Sequence, residues 1–153
     1  MNILYEGLFF DNKNSNIIRS LDINKLNNKI NNLHLTFKFT PKEDELFNEL
    51  LGKKYTIEII GYGNDGNNAG VQVKLPDELI EYYINNDYTP HITTSISDNS
   101  KAINTHKLKF IKLDKPIKVE GTFAYFIQDN NKNYISTEEK NYERSKIYSK
   151  RNK

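Results

Sequence analysis

Two short segments, His34-Leu35-Thr36-Phe37 and His91-Ile92-Thr93-Thr94, each set a hydroxyl two residues after a histidine. In an extended chain positions i and i+2 share one face, with Cα atoms about 6.5 to 7 Å apart, so each imidazole has a hydroxyl beside it. An unperturbed histidine titrates at about pH 6.5, so one ring of a pair can be neutral and accept a proton while the other is charged and donates one. That division of labour suits displacement at phosphorus. One ring deprotonates the attacking oxygen and the other protonates the leaving oxygen, while Thr36 and Thr93 donate to the non-bridging oxygens where charge accumulates. A single hydroxyl at this spacing is common by chance. Two copies, each opening a segment with separated polar and apolar faces, point to His34 and His91 as a catalytic pair acting on a phosphodiester.

The third histidine, His106, has no matched hydroxyl and reads as a solvated surface residue. Three scattered histidines do not form a metal-ligand spacing such as His-x-x-x-His. The chain has no cysteine, which excludes disulfides, thiolate metal ligands and cysteine nucleophiles. No metal and no cofactor are expected.

The elements that must hold these residues follow from the hydrophobic pattern. Ile3 to Phe10 reads as a first strand, and Asn16 to Asn32, with Ile17, Ile18, Leu21, Leu26 and Ile30, as one helix or two short ones. Leu33 to Phe39 alternates apolar at odd and polar at even positions, the period of a half-buried strand carrying His34, Thr36 and Lys38 on one face. Thr40-Pro41 with Glu43 predicts a helix running to Leu51, ended by Gly52. Tyr55 to Tyr62 and Gly70 to Leu75 form a hairpin around the Gly/Asn-rich turn between them. That turn lacks Gly-Lys-Ser/Thr and leads into no helix, so it is not a phosphate-cradling loop. Pro76 to Ile84 is a short helix. Pro90 to Ser97 repeats the strand pattern, with His91, Thr93, Ser95 and Ser97 on one face. Strands near Leu108 to Leu113 and Ile117 to Ile127 follow. The order of elements after each histidine strand is alike, which suggests an internal duplication.

With 153 residues and 37% hydrophobic content the chain can bury one core. It reads as an α+β protein with a single domain over residues 1–130 and a charged tail, 131–153, expected to be disordered, with Tyr134, Tyr142 and Tyr148 able to dock locally. A net charge of +2 lacks the signature of a protein that neutralises many phosphates of a long duplex. A small anionic ligand remains compatible. No run of apolar residues is long enough to span a bilayer, and the N-terminus carries no secretion signal, so a monomer working in the cytoplasm without a membrane partner is expected. The abundance of Asn, Lys, Ile and Tyr matches an AT-rich coding sequence, and the Asn-rich stretches are read first as that bias.

The two motifs resemble the His-x-Thr/Ser-x signatures of the 2H phosphoesterase superfamily. The run from Gly61-Tyr62-Gly63 through Val71-Gln72-Val73-Lys74-Leu75-Pro76 to Pro90-His91-Ile92-Thr93 looks like the segment joining them in the branch related to the cyclic phosphodiesterase part of tRNA ligases. The likeness covers about Tyr5 to Tyr125. Thr94 departs from it, since a larger apolar residue is common there. The resemblance implies a bilobal fold, with two pseudo-symmetric antiparallel sheets, flanking helices and a central cleft. It also implies metal-independent hydrolysis of a 2′,3′-cyclic phosphate at an RNA end, a 2′-5′-linked oligonucleotide or a cyclic nucleotide. Lys38 and Ser95 are candidates for substrate contact, and Tyr5, Tyr62, Tyr88 and Tyr125 for stacking on a base. The competing reading is a non-catalytic RNA- or nucleotide-binding module that keeps the fold. Two intact motifs argue against it, because binding alone needs no acid and base.

Overall fold

The computed structural model describes residues 2–83 and 87–139. In chain order the elements are β1 (Asn2–Phe9), α1 (Asn12–Arg19), β2 (Asn28–Lys29), β3 (His34–Phe39), β4 (Lys54–Asn64), β5 (Asn68–Lys74), α2 (Asp77–Ile80), β6 (His91–Ile96), β7 (Ile111–Asp129) and β8 (Lys132–Ser136). The strands form one antiparallel sheet in the order β2-β6-β5-β4-β7-β1-β3, with β8 added to β7. The sheet curls into a half-barrel, which brings β3 and β6 near each other. In place of two separate sheets there is thus one continuous sheet with two related halves. β3-β1-β7 mirrors β6-β5-β4, and the β4–β7 ladder joins them because β7, at 19 residues, is long enough to pair with β4 and then with β1.

The alternation in β3 appears as expected: Leu35 and Phe37 are buried while His34, Thr36 and Lys38 are partly exposed. Leu8, Ile57, Val71, Ile92 and Phe123 complete the core around them. The β4–β5 hairpin also appears, closed by Gly66 at φ +85° and by Asp65, whose carboxylate accepts from the amides of Asn67 and Asn68.

The helical expectations need correction. The first helix starts at Asn12, capped by the Asp11 side chain on the Asn14 amide, and stops at Arg19. The chain beyond it is anchored from outside: Asp22 is buried and held by side chains of β4 and β6, while Ile23, 83% exposed, belongs to no apolar stripe. The segment after Thr40 forms two 3-10 turns, Glu43–Glu45 and Asn48–Leu50, rather than a helix. The Phe47 amide, which helix propagation would need, donates to the buried Glu6 carboxylate on β1 instead. α2 is shorter than expected, and the end of its predicted range at Ile84 lies outside the described residues.

The two predicted C-terminal strands merge into β7, with Pro116 in the irregular stretch between the Ile59–Ile117 and Gly61–Lys112 pairs. The start of the expected tail is a strand. Asn130 and Asn131 both adopt positive φ, 49° and 67°, making the two-residue turn that folds β8 back onto β7. Residues 140–153 lie outside the described residues. Among the described residues no helix is long and apolar enough to cross a membrane.

Candidate active site

The two His-x-Thr strands are built alike. Gly7 pairs with Thr36 and Phe9 with His34 on the β1–β3 ladder, just as Gly70 pairs with Thr93 and Gln72 with His91 on the β5–β6 ladder. Each ladder then slips by one residue, leaving Phe37 and Thr94 as the bulged positions. The glycines are required by close approach. A Cβ at Gly7 would overlap the Leu35 carbonyl oxygen, and one at Gly70 would lie 2.5 Å from that of Ile92.

The imidazoles are oriented alike too. His34 Nδ1 lies 2.7 Å from the Asn32 carbonyl oxygen, and His91 Nδ1 lies 2.7 Å from that of Thr89. A carbonyl only accepts, so in each ring Nδ1 carries a proton and Nε2 is the atom left to exchange one. Burial pushes both histidines below their ordinary pKa; for His91 the nearby His106 and His34 rings add to the fall, against the Thr89 hydrogen bond, which raises it.

Both rings line one open cleft of about 370 Å³ with Thr36, Phe39, Tyr83, Tyr88, Thr93, Ala102 and Ile103. Its two halves differ in detail. Thr36 makes no hydrogen bond among the described residues, so its hydroxyl is available to a ligand. Thr93 Oγ1 lies 3.1 Å from the Ala102 carbonyl oxygen and 2.8 Å from Thr105 Oγ1, which in turn accepts from the Asn68 amide at 3.0 Å. Behind His34 stand aromatic rings, with Tyr5 stacked at 4.6 Å between centroids and Phe9 at 5.6 Å. Beside His91 stands His106, 6.3 Å away and itself stacked on Tyr88 at 4.1 Å.

The cleft gathers His34, Thr36, His91, Thr93 and Tyr88, while other sequence candidates lie elsewhere. Lys38 is drawn to Glu45 at 3.8 Å and does not line it. Ser95 and Tyr62 meet on Asp22, at 2.8 and 2.9 Å. The bulge at Thr94 explains this for Ser95, since it breaks the alternation that would have kept Ser95 beside Thr93. Tyr125 is fully buried, its hydroxyl 2.5 Å from Asn48 Oδ1 and its pKa pushed up by burial, so it cannot stack on a ligand. Tyr5 supports His34 rather than lining the cleft. His106, read from sequence as a solvated surface residue, is half-exposed and stands beside His91 without lining the cleft. Phe39, Tyr83, Ala102 and Ile103 carry no motif and enter the cleft only through the fold. Among the described residues no cluster of His, Asp and Glu has the makings of a metal site.

No protein-family model matches the chain, and no curated protein matches it. The geometry of the cleft is therefore what bears on function.

Proposed function

We propose that this chain is a metal-independent phosphodiesterase that cleaves a nucleotide phosphodiester by paired histidine acid–base catalysis. The observation that carries this reading is that His34 and His91, each with Nδ1 tied to a backbone carbonyl, line the same cleft with a threonine hydroxyl beside each ring.

In the reaction, water attacks phosphorus and passes a proton to Nε2 of one imidazole. The bond from phosphorus to the leaving oxygen breaks, and that oxygen takes a proton from Nε2 of the other. We assign the base to His91 and the acid to His34. The neighbouring His106 and His34 rings disfavour a charged His91, which suits a proton acceptor. Burial alone disfavours a charged His34. A phosphate anion between the rings opposes that effect at both, and His34, which lacks the further His106 ring beside it, is the one assigned the proton as acid. Thr36 donates to a non-bridging oxygen, and Thr93 does so by turning its proton from the Ala102 carbonyl.

The substrate class is a 2′,3′-cyclic phosphate at an RNA end, or a 2′-5′-linked or cyclic oligonucleotide. A panel of these at equal concentration, assayed in excess EDTA, tests the reading. Turnover of at least one, abolished in the His34→Ala variant, is expected. Loss of all turnover in EDTA with recovery on adding a divalent ion would overturn it. Binding without turnover, unchanged by His34→Ala, would favour a nucleotide-binding module.

A further inference from the structure

A second recess shares no lining residue with the histidine cleft. Arg19, Asp22, Lys25, Lys29, Thr94 and Ser95 line a space of about 230 Å³. Its carboxylate is already engaged: one Asp22 oxygen accepts from the Tyr62 hydroxyl at 2.9 Å and the other from the Ser95 hydroxyl at 2.8 Å. Asp22 still offsets part of the Arg19 charge. The two lysines, which make no ion pair among the described residues, leave the recess with excess positive charge. Arg19 gives one guanidinium nitrogen to the carbonyls of Ile30 and Asn31, which fixes its plane and leaves its other nitrogens unused among the described residues.

Thr94 turns this charged recess into a site. It is the bulged residue of β6, only 1% exposed, and its hydroxyl has no hydrogen-bond partner among the described residues. A buried hydroxyl without a partner costs stability, and valine would fill the same volume without that cost. Thr94 lines the recess together with three cations.

We infer that this recess binds a phosphate group, with the Thr94 hydroxyl donating to one oxygen and Arg19, Lys25 and Lys29 neutralising its charge. The same chemistry is offered by a phosphate on a nucleotide strand and by free inorganic phosphate.

Amide NMR spectra of the full chain, titrated separately with inorganic phosphate and with a 5′-phosphorylated dinucleotide, test this. Saturable shifts at Arg19, Lys29 and Thr94 are expected, and a Lys25→Gln/Lys29→Gln variant should bind at least roughly tenfold more weakly. Tighter saturation by the dinucleotide assigns a strand phosphate; tighter saturation by inorganic phosphate assigns a free anion. Thr94→Val should raise the melting temperature without phosphate and weaken phosphate binding, opposite signs that a purely structural threonine would not give. His34→Ala should leave these shifts intact, which separates this site from the cleft. Shifts confined to the cleft, or a Thr94→Val variant that binds phosphate as tightly as the unmodified chain, would overturn the inference.

Discussion

The imidazole of His34 stacks on the phenol ring of Tyr5, with centroids 4.6 Å apart and planes inclined by 26°. Phe9 and Phe126 extend the stack behind Tyr5, so His34 has an apolar backing that fixes its ring plane and keeps water from that side. Removing the aromatic face loosens the ring without touching the Asn32 hydrogen bond. Tyr5→Leu should therefore lower kcat severalfold while Tyr5→Phe, which keeps the face, should stay close to the original value. Steady-state kinetics on the best substrate of the panel checks this.

The glycines opposite the two threonines are a second test. Backbone carbonyls, which cannot step aside, occupy the space that a side chain would need at Gly7 and Gly70. Gly7→Ala and Gly70→Ala should each lower the melting temperature clearly, and each should impair activity by displacing its own His-x-Thr strand. Thermal unfolding followed by circular dichroism reads the first effect. A pair of alanine variants as stable as the original would mean that the ladders are not registered as described.

Thr36 and Thr93 should separate stability from catalysis. Thr93 is tied to Ala102 and Thr105, whereas Thr36 has no such partners among the described residues. Thr93→Val should cost about 1 to 3 kcal/mol of stability as well as activity, because it leaves buried polar partners unsatisfied. Thr36→Val should reduce kcat with little change in melting temperature. Denaturant unfolding beside single-turnover rates distinguishes the two.

Much of this arrangement was legible in the sequence, and the failures have physical causes. The alternation of β3 gave its faces correctly because that strand is half-buried along most of its length. The same argument misled at Ser95, since a bulge at Thr94 has no local signature when glycine is not involved. It misled likewise at Lys38, which follows the matching bulge at Phe37 and meets Glu45 instead of the cleft. The cap read at Thr40 with Glu43 does not form; the Glu45 carboxylate accepts from the Lys42 amide two residues on, and a carboxylate from β1 diverts the next turn. Asn130-Asn131, read as compositional bias, makes a turn because asparagine tolerates positive φ. The place of His106 beside Tyr88 and His91 was not legible, because it depends on a 3-10 turn, Ala102–Lys107.

Glu6 predicts a pH dependence of stability. It is fully buried on β1, one carboxylate oxygen has no partner among the described residues, and burial raises its pKa from about 4.5 to about 8. The folded state therefore binds more protons than the unfolded state between those values, and stability falls as pH rises through that window. Glu6→Gln should remove this slope and raise the melting temperature by several degrees at pH values above about 8. Melting temperatures of both proteins across the window check it. Parallel curves would show that Glu6 does not carry the buried proton.

The central claim is that the two histidines work as one unit, and single-turnover rates of the His34→Ala, His91→Ala and double variants test it most directly. Each single replacement should slow the chemical step by at least roughly a hundredfold, the low end of what positioned acid–base catalysis contributes. The double variant should be far less impaired than the product of the two losses, because either loss already disables the shared mechanism. Near-normal turnover in either single variant, with the other inactive, would contradict the account.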